Sequence, residues 1–344
     1  MEPFTHAFTS LAFAQAGKDR LPRFGTAMLI VAGLAPDLDY ASYIFGPEAF
    51  LRFHRTALHS LAGAAVTTGA VAAAFCIADR RIPPKKNIQV KAPRPLTFLG
   101  ALATCAIGVT GHILLDLASG VGVQLLWPFW GHWSAWDLVT NFDLWILILL
   151  VLGLLLPLLL QLVNEEVGAR RRGRGSSAAG VVTLILVAAY LGELANLHAR
   201  AIDVLLANEY HGRVALSAGA FPESSAPFDW YGVVVTDDTM ETVEVPLGPG
   251  REFDAHMSET HYKPGESPQL AAAEKTDDAA RFLTYARFPF AVVRPLEGDY
   301  RVEIHDLRFP PDDRQPANIF VRVDISGEMQ VRRQGFRFAS SPYP

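Results

Sequence analysis

Cysteine and charge are scarce in this 344-residue chain. Its two cysteines, Cys76 and Cys105, both fall in apolar stretches. A thiol there packs as a small hydrophobe, so the pair offers neither a disulfide framework nor a thiolate metal site. Residues 206–344 hold no cysteine at all; no disulfide staples them, and their compartment is left open. Charged residues make up 19% of the chain, against about 25% in ordinary soluble proteins. The basic residues form short clusters beside apolar segments rather than an arm that could neutralise phosphates, which argues against nucleic acid as a partner. No basic region precedes the first apolar stretch, so a cleavable signal peptide is not expected.

What the chain has in quantity is apolar surface: 50% hydrophobic residues and a mean hydropathy of +0.20. The little charge present is divided unevenly. Residues 1–205 carry 16 Lys and Arg against 13 Asp and Glu, whereas residues 206–344 carry 14 against 22. A greasy, slightly basic part followed by an acidic part predicts a membrane domain, 1–205, joined to a water-soluble one, 206–344.

Five stretches are apolar enough to cross a bilayer, which takes about 20 helical residues: roughly 25–45, 57–78, 96–118, 143–163 and 178–200. A shorter segment, 3–17, would make a short N-terminal helix. Basic residues cluster in the turn 18–24 (Lys18, Arg20, Arg23), in 79–95 (Arg80, Arg81, Lys85, Lys86, Lys91, Arg94) and in 164–177 (Arg170, Arg171, Arg172, Arg174). Alternating spans put all three on one side, the cytoplasmic side by the positive-inside rule. The 46–56 loop, the Trp- and Gly-rich 119–142 connection and everything after residue 200 then lie on the other. Beyond residue 208 the hydrophobic period drops to two. Trp230–Val235, Thr242–Val245, Arg281–Phe288, Arg301–Ile304 and Ile319–Val323 read as strands between Pro, Gly and Asp turns. The fold class expected is therefore an α-helical polytopic membrane bundle of five spans plus a short N-terminal helix, followed by a small β-rich extramembrane domain.

Charge inside a membrane helix is costly, so such residues usually pair, face an aqueous cavity or bind something. Asp37 and Asp39 lie late in the first expected span, His54 and His59 at the start of the second, and His112 and Asp116 near the end of the third. The topology above puts all six at the same non-cytoplasmic level, and His6 joins them if its helix starts on that side. His112 and Asp116 are four apart and share one helical face. Asp37 and Asp39 are two apart, about 200° on a regular helix. Either Pro36 loosens the helix so that both turn inward, or one binds metal while the other supports a histidine. Imidazole and carboxylate donors without thiolate suit Zn²⁺, with Mn²⁺ or Fe²⁺ as alternatives, in a one- or two-ion site. Arg55 would offer a fixed positive fork to a phosphate group. Ser60 lacks the surrounding glycines of a nucleophile elbow. Asp143 reads as an N-cap or a partner of a ligand, and His132 and Asp137 as interfacial residues. Glu193, within the last span, has no evident partner.

The stretches Thr5-His6, Pro36-Asp37-Leu38-Asp39, His54-Arg55 with His59-Ser60, Gly111-His112-Ile113-Leu114-Leu115-Asp116, Gly120-Val121-Gly122 and Trp127-Pro128 resemble the YdjM-like family of inner-membrane-associated predicted metal-dependent hydrolases, also described as LexA-binding. The resemblance covers about residues 1–145. It implies a bacterial inner-membrane location, a metal-dependent hydrolase and a phosphoester or lipid-like substrate. The cytoplasmic partner in the family's description conflicts with a site on the non-cytoplasmic side and is not carried over.

The leading expectation is a membrane-bound metal-dependent hydrolase at the outer face of the inner membrane. His6, Asp37, Asp39, His54, His59, His112 and Asp116 would be the metal ligands, with Asp37 or Asp39 as general base and Arg55 steadying an anionic group. Two other readings compete. A transporter or proton relay would spread its His and Asp residues through the bilayer depth. A non-catalytic anchor presenting the β domain would pair its polar side chains with one another.

Overall fold

A computed structural model describes residues 1–82, 94–166, 175–223, 226–263, 265, 267–309 and 319–338. Of the basic residues used to orient the bundle, Lys85, Lys86, Lys91, Arg170, Arg171, Arg172 and Arg174 lie outside the described residues. The chain divides into two units, Met1–Asp39 with Arg55–Ala195, and Tyr40–His54 with Asn196–Pro344.

The first unit is helical: α1 (Pro3–Ala16), α2 (Gly25–Leu34) running into a 3-10 helix (Pro36–Phe45) whose first four residues belong here, α4 (Leu61–Arg81), α5 (Phe98–Ala118), α6 (Leu144–Glu166) and most of α7 (Gly175–Leu206). Four segments among the described residues are long and apolar enough to cross a membrane: Gly25–Phe45, Leu61–Arg81, Phe98–Ala118 and Ser177–Leu206. The fifth expected span falls in α6, whose apolar stretch Leu144–Leu159 is shorter. Local sequence explains the helix starts. Pro3 opens α1 behind Glu2, whose carboxylate accepts the Thr5 N–H. Ser60 and Thr97 cap α4 and α5 by accepting the N–H groups of Gly63 and Gly100.

Outward faces are apolar, as lipid requires; Val66 on α4 is 69% exposed. The inner packing relies on small residues. A Cβ on Gly108 would lie 2.7 Å from the Leu29 carbonyl oxygen and 3.0 Å from the Gly33 nitrogen, so α2 and α5 meet nearly backbone to backbone. At one end Arg23 pairs with Asp79 at 2.7 Å and donates its backbone N–H to Arg94, which joins the first basic turn to residues of the second.

The second unit holds the sheets. After the pair β1 (Glu209–Tyr210) and β2 (Arg213–Val214) come β3 (Ser217–Glu223), β4 (Ala226–Val235), β5 (Thr239–Pro246) and β6 (Glu259–Tyr262), an antiparallel meander. A second antiparallel meander follows, β7 (Pro289–Leu296), β8 (Asp299–Asp306), β9 (Ile319–Ser326) and β10 (Val331–Phe338). Val302 and Ile304, then Val321, Val323 and Ile325, alternate along β8 and β9 and pack on Ala273 of α8 (Pro268–Glu274), Phe282 of α9 (Asp277–Tyr285) and Leu51 of α3 (Pro47–Phe53). The expected strand Arg281–Phe288 is instead largely helix. Thr276 caps α9 by accepting the Ala279 N–H, Asp277 and Asp278 fill the first turn, and the buried pair Ala279 and Phe282 has helical spacing. The other four expected strands lie within β4, β5, β8 and β9.

Candidate metal centre

Three helical elements converge on one buried group of side chains. The α2–α5 approach sets His112 against α2, where its Nδ1 stands 2.7 Å from the Gly33 carbonyl oxygen. A carbonyl only accepts, so Nδ1 carries the proton and Nε2 presents its lone pair inward. One turn later on α5, Asp116 is fully buried. His59, in the turn before Ser60, sends Nδ1 to within 3.0 Å of Asp39 Oδ2, so its Nε2 is likewise left facing inward. His6 on α1 stacks on His112 with ring centroids 3.7 Å apart.

The inward atoms are close neighbours. His59 Nε2 lies 3.0 Å from both Asp116 Oδ2 and His112 Nε2. His112 Nε2 lies 3.4 Å from Asp116 Oδ2 and 3.6 Å from Asp37 Oδ1, and His59 Nε2 lies 4.0 Å from that same oxygen. His6 Nε2 is 3.4 Å from Asp116 Oδ1. A tetrahedral ion with bonds of about 2.0–2.1 Å places its ligand atoms about 3.3 Å apart, within the observed range. Two groupings can hold a metal ion: His6, Asp37, His112 and Asp116, and Asp37, Asp39 and His59.

Hydrogen bonding gives the same fit. Both nitrogens of His6, both oxygens of Asp37 and Asp116 Oδ2 are buried without a hydrogen bond. Asp116 Oδ2 is nonetheless 3.0 Å from His59 Nε2; proximity without hydrogen-bond alignment is what lone pairs aimed at a common point produce. Each buried polar group left unsatisfied costs about 1–3 kcal/mol, more if charged. A divalent cation would meet these needs at once, and the donor set of imidazole and carboxylate suits zinc.

The 3-10 helix explains how Asp37 and Asp39 both reach this region. At three residues per turn, neighbours two apart are separated by about 120° the short way round, against about 160° on an α-helix. Asp37 turns toward His112, and Asp39 toward His59 and the Arg55 backbone, whose N–H it accepts at 2.8 Å.

His54 and Arg55 differ from expectation. His54 ends α3 and stands in neither metal grouping. Its ring stacks on Phe50, one helical turn back, at 4.4 Å and lies 4.3 Å from the Tyr40 ring. Arg55, at φ 57°, directs a buried guanidinium to Asp116 Oδ1 (3.2 Å), Ser119 Oγ (2.7 Å) and Asn141 Oδ1 (3.4 Å). Its two Nη atoms are thereby engaged by protein groups, while Nε is buried without a hydrogen bond. The Met1 amine also lies on Asp116. Asp143 caps α6 by accepting the Ile146 N–H at 2.9 Å and accepts the Tyr190 hydroxyl at 3.3 Å. His132 stacks on Trp130, Asp137 is buried, and Glu193 faces outward on α7. The Gly33 carbonyl, Ser119 and Asn141 carried no signal in the sequence, because a backbone acceptor has no residue identity and a loop Ser or Asn is commonplace.

Apolar helices around a buried His/Asp cluster define a helical membrane protein with a candidate metal centre. More particularly, the chain belongs to the family of the YdjM inner membrane protein, whose model matches residues 1–198. No curated protein and no solved structure matches it.

Proposed function

We propose that the protein is a membrane-bound metal-dependent hydrolase in which His6, Asp37, His59, His112 and Asp116 hold a divalent cation, zinc by preference. The observation that carries this reading is the set of buried donors without hydrogen bonds, spaced as ligands of one ion. The ion would polarise a phosphoryl or acyl oxygen and make water a usable nucleophile near neutral pH. Asp37 is the most exposed of the five residues. Its Oδ1 is turned to the cluster; in this reading Oδ2 accepts the proton that the attacking water loses. An anchor whose polar residues merely pair with one another would not leave His6 and Asp37 unsatisfied.

The substrate we assign is a phosphoester with a lipid-like tail. Leu38, between the two site carboxylates, is 71% exposed. An exposed apolar side chain beside a buried polar cluster suits a head group that arrives with its chains in the bilayer. The reading also includes five spans, with α6 completing the set, and places the site and the β-rich unit on the non-cytoplasmic side of the inner membrane. Metal analysis of detergent-purified protein, followed by a screen of phosphatase and phospholipase substrates, tests it. About one zinc per chain is expected, together with hydrolysis that His112→Ala and Asp37→Asn remove. Protein without stoichiometric metal, or variants as active as wild type, would defeat the reading.

A further inference from the structure

Four of the site's contacts close on themselves. Asp39 Oδ2 accepts the Arg55 backbone N–H at 2.8 Å. The Arg55 guanidinium lies 3.2 Å from Asp116 Oδ1, and Asp116 Oδ2 lies 3.0 Å from His59 Nε2. His59 Nδ1 returns to the starting oxygen, Asp39 Oδ2, at 3.0 Å. The circuit passes through one backbone N–H, one guanidinium and both nitrogens of one imidazole.

We infer that Asp39 and Arg55 are positioning residues, which aim His59 Nε2 and Asp116 Oδ2 at the ion without binding it or the substrate. The inference rests on the proposed metal site and assigns work within it. Asp39 directs its contacting oxygen at the far nitrogen of His59. A carboxylate 3.0 Å from Nδ1 favours the proton on that nitrogen and leaves Nε2 for the ion, the division of labour that outer partners impose on ligating histidines. The adjacent carboxylate, Asp37, has neither oxygen in a hydrogen bond and faces His112 Nε2 instead. Two acids two positions apart thus have different duties.

Arg55 does the matching work for Asp116. Its Nη atoms engage Asp116, Ser119 and Asn141, so one oxygen of Asp116 is neutralised from outside and the other is left for the ion. The guanidinium is fully enclosed, with the residue 1% exposed. A charge so placed answers a fixed neighbour rather than an exchanging substrate. Asp39 also secures the left-handed backbone at Arg55 (φ 57°), a conformation that costs a non-glycine residue about 1–3 kcal/mol and persists only when its surroundings hold it.

The test uses the full chain in detergent, loaded with Co²⁺ as a spectroscopic reporter and titrated with Zn²⁺ against a chelating dye. Asp39→Asn and Arg55→Lys should keep the wild-type Co²⁺ absorption bands, because the ligand set is intact. Zinc affinity should fall roughly 10–100-fold, as loss of an outer partner does. Asp37→Asn should alter the bands, because a ligand is replaced. If Asp39→Asn alters the bands as Asp37→Asn does, Asp39 is a ligand and the inference is overturned; unchanged zinc affinity in Asp39→Asn overturns it equally. Should Asp39→Asn fail to fold, Asp39→Glu carries the same comparison, since it keeps the charge and moves it by one methylene. Wild-type protein that takes up no metal overturns both this inference and the proposed function. Wild-type protein that binds metal but hydrolyses nothing defeats only the hydrolase.

Discussion

Both units of this protein bury carboxylates, and they treat them differently. In the β-rich unit, Glu241 is fully enclosed and accepts hydroxyls from Thr239, Ser258 and Thr260 at 2.8–3.1 Å. Asp306 accepts the backbone N–H groups of Arg287, Phe288 and Arg308 and pairs with the Arg308 guanidinium at 2.7 Å. These acids are satisfied from within and serve the fold. In the helical unit, Asp37 and Asp116 keep buried oxygens without hydrogen bonds. Among the described residues, every buried side-chain atom without a hydrogen bond falls in the helical unit. Burial of an acid therefore says little about function; what separates a structural acid from a site is whether the protein itself completes its bonding.

The contrast can be broken most forcefully by removing a proposed ligand. His112→Ala or Asp116→Ala should abolish stoichiometric zinc, read by elemental analysis after gel filtration, while the β-rich unit retains its circular dichroism. Stripping the ion with a chelator should lower the melting point of the helical unit alone. At metal concentrations near 100 times Kd, that binding is worth about 2.7 kcal/mol. A single shared shift in both transitions would erase the distinction between the units.

Next in size is a core deletion on the other side of the comparison. Phe282→Ala should cost the β-rich unit about 3–5 kcal/mol, seen as an earlier denaturant midpoint, with zinc content unchanged. Loss of zinc in that variant would mean the two regions are not separable. Gly108→Ala should have a smaller effect on stability, about 1–3 kcal/mol from overpacking, yet weaken zinc binding, since the added methyl meets the Leu29 carbonyl and moves α5 away from Gly33. Zinc affinity equal to wild type would show that the close approach of α2 and α5 does not aim His112.

The smallest effect is one of pH. Burial holds the His305 pKa below the ordinary value, opposed by Glu303 and assisted by Arg294 and Arg322. The unfolded chain then takes up a proton near pH 6.5 that the folded one resists. The stability of the β-rich unit should be level above about pH 7 and decline as pH falls through 6.5. His305→Gln should flatten that decline, and an equally steep one in the variant would assign it to other groups.

Much of the helical unit was legible because lipid is an unforgiving solvent: a His or Asp in an apolar run stands out, and His6, Asp37, Asp39, His59, His112 and Asp116 do come together. His54 looked equivalent in the sequence, but a ring at the end of a short helix can be claimed by nearby aromatics, and Phe50 and Tyr40 claim it. Arg55 stood out in the sequence, but its bond to Asp116 did not, because pairing partners 61 residues apart leave no local pattern. In the β-rich unit the strands followed their alternation. Arg281–Phe288 misled because Phe282, Thr284 and Ala286 alternate by accident across what the Thr276 cap makes a helix.

The helix α3 has a practical consequence for anyone wishing to handle the β-rich unit alone. Leu51 on α3 packs into the sheet core with Phe282 and Val323, and Glu48 reaches Arg281 at 2.8 Å. The unit is therefore assembled from two stretches of chain lying far apart in sequence. A fragment cut at residue 206 would begin life with an apolar scar where Leu51 belongs, and exposed apolar surface invites aggregation. A soluble version is better made by splicing 40–54 ahead of 196–344 through a flexible linker, so that the fragment brings its own missing helix.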